Sequence, residues 1–361
     1  MRLVRALGIA LAITMALCLH SAMSPAAADD VSDFYKSKRI TLVIGYSAGG
    51  GYDLYARTVA RHMSRHIRGN PTFVPQNMPG AGSRKAGNWL YNVAPKDGTA
   101  IATLGQNTPM DQALREKGIR FDVAKFNWIG NPIVDNNITI SWAGLGYDTI
   151  TDVVKKGRLI CGGTGATSTS ILQPQILNNL LDAKIRIISG YPGGSAVNLA
   201  MERGEVNCRG STSWASMKAT LQHWIKERKA TILVQWGTKK DPTISQYQGR
   251  DVPLVIELAK NDADRRALNM IVSGVTMGRP LVAPPGVPKA RVAALRAGFN
   301  DTMKDRQFLA DAKKQKMDIS PLPGEDIQKI AEETVQSDEA VIARAKALIA
   351  RRDVEKLKKK K

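Results

Sequence analysis

Ile40–His62 reads ITLVIGYSAGGGYDLYARTVARH, and this stretch decides the fold class. The apolar, β-branched run Ile40, Leu42, Val43, Ile44 has the pattern of a strand, and it stops at Gly49, Gly50 and Gly51. A helical pattern follows at once, with Tyr55, Val59, Met63 and Ile67 on one face. Strand, glycine turn and helix in that order present bare backbone N–H groups at the positive end of a helix. Such a turn suits an anion.

The same alternation continues outward. Strands are expected at 40–45, Thr72–Asn77 and 99–104, then in ITISWAG, RLICGG, RIISGY, EVNCRG and TILVQWG. Helices are expected at 53–67, 82–93, 168–181 and 194–203, and the last hundred residues read as helical at 254–269, 288–303, 304–315 and 324–351. The alternation predicts an α/β protein with right-handed crossovers. The expected architecture is two lobes, each a mainly parallel sheet flanked by helices. Loop signals at Gly130-Asn131-Pro132 and Thr238–Asp251 place the boundaries: 29–134 with 242–361 as lobe 1, and 135–241 as an inserted lobe 2.

Residues 1–28 carry Arg2 and Arg5, an apolar core and Ala26-Ala27-Ala28, the pattern of a cleaved secretory leader. Leu17 stands where a lipidated Cys18 would need a small residue, so an exported, soluble, periplasmic protein is expected. The formal net charge is +20 over 361 residues. It is spread along the chain and ends in a lysine tail, so export and distribution argue for a basic surface rather than for nucleic-acid binding. Cys161 and Cys208 each end a β-like run. An oxidising compartment permits a bridge between them, while adjacent parallel strands make it geometrically demanding; both forms stay open.

Gly45-Tyr46-Ser47-Ala48-Gly49 matches the G-x-S-x-G elbow of serine hydrolases, with Ser47 as nucleophile. It lies on the first strand of the mature chain, and His62 and His66 ride the helix behind it, pointing away, so a base is missing. Dinucleotide binding is excluded by spacing and by the absence of Asp or Glu from Leu54 to Lys96. His62 and His66 have the spacing of a metal pair, but no carboxylate is expected to accompany them, and they read as a solvated face beside Arg61 and Arg65. No cofactor and no metal are expected.

What remains is a set of glycine-rich turns at the carboxyl ends of expected strands, where open α/β sheets bind ligands. They supply Tyr46, Gly49, Gly50, Gln106, Asn107, Ser168, Tyr191, Gly194, Ser195 and Arg209 as candidate binding residues. Their backbone amides, hydroxyls and guanidinium suit recognition rather than bond breaking.

These turns, in order, resemble the Bug receptors of tripartite tricarboxylate transporters, the TctC type. The matching segments are ITLVIGYSAGGGYDLYAR, PQNMPGAGS, APKDGTAIATLGQN, CGGTGATSTS, YPGGSAVNLAMERGEVN, DVPLVIELAK and LVAPPGVPKARVAALRAGFND, from about residue 33 to 330. The resemblance implies a two-lobe periplasmic binding fold that closes over a small carboxylate (di-, tricarboxylate or aromatic) and delivers it, as a monomer, to membrane permease subunits. It also implies that Ser47, Ala48, Gly49, Gly50 and Asp53 hold a ligand carboxylate from one side and Thr164, Gly165, Ala166 and Thr167 from the other. The chain departs from the family where Glu205-Val206-Asn207 runs on to Cys208 and Arg209 instead of an acidic residue. Arg209 is therefore expected either to meet a second ligand carboxylate or to pair with a surface acid.

Overall fold

The computed structural model describes residues 25–352; most of the leader, Cys18 and the lysine tail lie outside them. Eleven strands among these residues form two sheets: β1 Arg39–Ile44, β2 Thr72–Asn77, β3 Ala100–Thr103, β4 Asn127–Asn131, β5 Asn137–Trp142, β6 Ile160–Gly162, β7 Arg186–Ile188, β8 Cys208–Ser213, β9 Ala230–Trp236, β10 Leu281–Ala283 and β11 Leu322–Pro323. The first sheet runs β11-β4-β10-β3-β1-β2 and the second β7-β6-β8-β5-β9.

In β1 the period-2 rule decides which side chains meet which helices. Ile40, Leu42 and Ile44 join a core with the helices Gly51–Met63 and Lys289–Thr302, while Val43 joins the opposite core with Arg84–Asn92 and Gly324–Val335. The second sheet is covered in the same way. Thr169–Leu181 lies on one face, and Gly194–Glu202 and Trp214–Thr220 lie on the other. Two sheets flanked by helices are present as expected.

The sheets are mixed, with most strands of each running in one direction as expected. β2-β1-β3 and β7-β6-β8 are parallel, as their helical crossovers require. β10 in the first sheet and β5 in the second run against both of their neighbours, and β11 runs against β4, so β4 and β9 keep the direction of the parallel strands. β4 and β10 have no strand signature in the sequence. β4 ends in Gly130-Asn131 before Pro132 and reads as a turn, but Gly130 leaves room there for the Phe299 ring.

The boundary drawn at 241/242 does not coincide with the packing. After β9 the chain stays on the second sheet, where Gln235 N donates to Pro253 O and Ile244 and Val252 share a core with Ile232. Asp262–Ser273 then packs on Glu339–Ile349, which packs on Thr169–Leu181 through Leu268, Ile271, Leu348, Ile176 and Leu180. The chain returns to the first sheet through Gly274–Arg279, and the last helix crosses back once more. The crossings place Asp135, in the connection between β4 and β5, next to Arg279, in the loop before β10.

Disulfide formation is settled by register. Cys161 and Cys208 are Cα partners in β6 and β8, 4.2 Å apart, and they are bridged.

Candidate functional site

The glycine turn after β1 meets the turn before Gly194–Glu202 across the cleft. Ser47 N donates to Pro192 O at 3.3 Å, and Ser195 Oγ donates to Ala48 O at 3.0 Å. Asn107 Nδ2 reaches Thr167 O from the other side of the cleft. Closure leaves a cavity of about 70 Å³.

Three helices of eight residues or more begin at its wall, at Gly51, Thr169 and Gly194. Their N-cap residues Gly50, Ser168 and Gly193 make no side-chain capping bond, so these ends keep free N–H donors. Two of the starts need glycine for space. A Cβ at Gly51 would strike Ser216 Oγ, and one at Gly194 would strike the Arg209 guanidinium.

The charged groups are Arg209 and Arg279. Arg209 follows Cys208 on β8. Its Nη1 donates to Asn198 Oδ1 at 2.7 Å and its Nε to Ser211 O at 3.2 Å. Burial, followed by the charge of Arg279, pulls its pKa down to about 10. Arg279 is 5% exposed and lies over the rings of Tyr52 and Tyr55, 5.2 and 5.1 Å from their centroids. Its Nη2 bonds Ser216 Oγ, while Nε and Nη1 donate no hydrogen bond. Asp135 Oδ1 lies 3.7 Å from Nη1, while its Oδ2 accepts Ser213 Oγ at 2.6 Å and Ala215 N at 2.9 Å. Burial pushes the Asp135 pKa up against these contacts.

Tyr46 and Tyr52 stack at 4.4 Å and form one wall. The Tyr52 hydroxyl accepts from Gln106 N and donates to Gly278 O, which ties this wall to the hinge. Gln106 Nε2 has no partner and lies at the cavity.

Of the residues singled out in the sequence, Tyr46, Gly50, Gln106, Thr164, Ser168, Gly194 and Arg209 line the cavity. Gly165 and Tyr191 line a second cavity beside it, of about 250 Å³. Ser47, Ala48, Gly49 and Ser195 form the seam between the lobes, and Asn107 and Thr167 hold it from the far side. Ala166 is exposed at an outer depression. Asp53 points inward to its own loop, accepting Gly49 N at 3.0 Å, Arg57 Nε at 2.8 Å and Asn77 Nδ2 at 2.9 Å. Burial raises its pKa, but these bonds outweigh burial and hold it below the ordinary value.

Ser47 has no base. Its Oγ has no hydrogen-bond partner. His62 and His66 bond Asp311 and Asp305, each at 2.9 Å, and His223 bonds Glu202 at 3.0 Å. The carboxylates on His62 and His66 correct the expectation of an unaccompanied, solvated face, because they arrive from the distant helix Arg306–Lys314 and its N-cap Asp305.

No protein-family model matches the chain. A UPF0065 protein from the gbd 5′ region of Cupriavidus necator is 27% identical over 349 residues, covering 92% of this chain and 93% of the relative. The periplasmic binding protein BugD superposes with a TM-score of 0.69 at 19% identity, over 88% of this chain and all of BugD. MatC from Rhodopseudomonas palustris, solved with bound malate, gives 0.66 at 18% identity, over 86% and 99%. The chain has the fold of the Bug/TctC periplasmic binding proteins.

Within that fold, the sequence reading missed Arg279, Ser216, Asn137 and Asp135. Asn137, Ser216 and Arg279 line the cavity, and Asp135 backs it through Arg279. Asn137 and Asp135 sit just past a Pro-containing crossing, and Arg279 sits between Gly278 and Pro280. Their sequence context signals only a turn.

Proposed function

We propose that this protein is a periplasmic solute receptor that captures a small carboxylate between its lobes and delivers it to permease subunits of a tripartite tricarboxylate-type transporter. The cavity carries the reading. Three free helix N-termini and two guanidiniums converge on one closed space, where a carboxylate would find directed N–H donors and positive potential. Malate in MatC supports the carboxylate class by likeness of fold. The leader pattern supports export.

A serine hydrolase would need a base at Ser47, and the three histidines among the described residues are bound to Asp311, Asp305 and Glu202 instead. No helix among the described residues is long and apolar enough to cross a membrane.

The test is a thermal-shift and calorimetric screen of the mature protein against mono-, di- and tricarboxylates and acyl esters. A ligand at 100 times its Kd should add about 2.7 kcal/mol of stability and be recovered unchanged. Esters consumed with no acid bound would overturn the receptor reading. Uptake of the identified acid by vesicles holding the neighbouring permease, dependent on added receptor, tests delivery.

A further inference from the structure

A groove of about 560 Å³ shares no lining residue with the ligand cavity. One wall comes from the helices Trp214–Thr220 and Gln222–Lys226 beside the second sheet. The other comes from Arg306–Lys314, which packs on Gly51–Met63, and from the residues just after it. In Arg306–Lys314, Phe308 and Ala312 turn into the core, while Leu309 and Lys313, each one residue on, line the groove. Leu309 is 40% exposed there. Ile225, Met317 and Ile319 complete an apolar floor. Ala312 and Met317 also share a core with Tyr55 and with Ala215 of the facing wall, so the floor lies on the junction of the lobes.

The rims are basic. Lys218 and Lys226 stand on one side and Lys313 and Lys316 on the other, against a single acid, Asp318. Asp318 is taken by Lys218 at 2.5 Å, a pair that crosses between the walls. Asp311 and Asp305, on and before the neighbouring helix, are taken by the arginines and histidines of the seam. Lys226, Lys313 and Lys316 are exposed and make no ion pair among the described residues. An apolar floor between two lysine rims asks for an occupant with an apolar face and acids along both edges.

The chemistry narrows that occupant. A second copy of this chain would bring its own net charge of +20 against the rims. A fatty acid has one carboxylate for lysines on two sides. The walls are mostly helix, whose backbone groups are already bonded, so an extended peptide finds no strand edge to join. An amphipathic helix meets each requirement, and Met317 gives its contact surface an adaptable side chain. We propose that this groove docks an acidic amphipathic helix of a partner protein, its apolar face on Ile225, Leu309 and Met317 and its carboxylates against both lysine rims. The proposal does not depend on what the cleft binds. Because the rims belong to different lobes, a helix bridging them would hold the lobes in the arrangement described.

The test is fluorescence anisotropy on the mature protein with labelled helical peptides of about 16 residues. They carry leucines at i, i+3 or i+4, and i+7 in several registers, flanked by glutamates. Scrambled forms and forms with lysine in place of glutamate are the controls, with laurate and phosphatidylglycerol vesicles as the lipid probes. At least one acidic peptide should bind about tenfold or more tightly than both of its controls and weaken as salt rises. Lys313→Glu with Lys316→Glu, Lys226→Glu, and Leu309→Ser should each cost about fivefold or more, and Lys155→Glu, outside the groove, should cost nothing. The Lys313→Glu, Lys316→Glu protein should in turn prefer the lysine peptide, a reversal that an unfolded protein would not show. No acidic peptide binding above its scrambled form would overturn the proposal. So would equal losses in Lys155→Glu and the groove variants. Laurate or vesicles binding through the groove lysines while every peptide fails would assign the groove to a lipid instead.

Discussion

Two clusters of cations in this protein have opposite surroundings. On the helix Gly51–Met63 and the turn after it, Arg61, His62, Arg65 and His66 face Asp311 of Arg306–Lys314 and Asp305, which caps that helix, and every one of them is bonded to a carboxylate. At the other end of the same helix, where the cavity lies, Arg209 meets only an amide and a carbonyl, while Arg279 meets Ser216, tyrosine rings and, at 3.7 Å, the carboxylate of Asp135. The first cluster is complete within the protein and holds two helices together. The second is incomplete within the protein, and its remaining donors point to a ligand. Charge alone does not mark a site; unpaired charge in a closed space does.

The largest expected effect strikes the cavity side alone. Cys161–Cys208 ties β6 to β8, the strand that carries Arg209, across a sequence separation of 47, whereas the helix seam has no covalent tie. Replacing both cysteines by serine should lower stability by about 2–4 kcal/mol, read from denaturant melts. Carboxylate affinity should fall as well, because the strand behind Arg209 loosens. Unchanged affinity would separate the bridge from the site.

Asn198→Asp sharpens the comparison next. It leaves shape nearly unchanged and gives Arg209 the carboxylate that the seam cations already have. Carboxylate affinity should drop about tenfold to a hundredfold in calorimetry, with no loss of melting temperature. Tight binding retained in this variant would mean that Arg209 does not meet the ligand.

Asp311→Asn and Asp305→Asn make the converse change at the seam. Each should cost about 1 kcal/mol, since these pairs are partly exposed, and should leave ligand affinity alone. The pH dependence follows from the same bonds. The hydrogen bond from His62, joined by Arg61 and Gln315, holds the Asp311 pKa down at about 2, and Arg65, the Phe308 N–H and His66 hold Asp305 lower still. Both lie below their unfolded values near 3.9, so the unfolded chain binds more protons in acid. Stability from the seam should be complete above about pH 4 and fall as pH drops toward 2; the double Asn variant should show a flatter acid limb in thermal melts.

Ser47→Ala should change least. The hydroxyl has no partner, so its removal should shift carboxylate affinity by less than about 0.5 kcal/mol and abolish no turnover. A catalytic loss would revive the elbow.

The legible part of the site was the part built from local rules. Gly49–Gly51 and the face Tyr55, Val59, Met63 announce a strand-to-helix turn, and Arg209 stands out because it follows a β-run into a glycine-rich turn. Arg279 was not legible. Gly278-Arg279-Pro280 reads as an ordinary loop between a helix and a strand of three residues, and nothing in that context says the side chain is buried. The return crossing was missed for a related reason. Whether Asp262–Ser273 packs on the first or second sheet depends on Glu339–Ile349 filling the groove beside it, a contact far along the chain.

The sequence by itself determined the α/β class, the glycine turns at strand ends and the helix N-termini behind them, because 3.6- and 2-residue periods and turn chemistry act over a few neighbouring residues. The tertiary structure decided which cations are paired. His62 finds Asp311 at a separation of 249 residues, and Arg279 reaches Ser216 at 63. Pairing is a matter of distance through space. The difference between a structural charge and a ligand-binding one therefore exists only once the chain has folded.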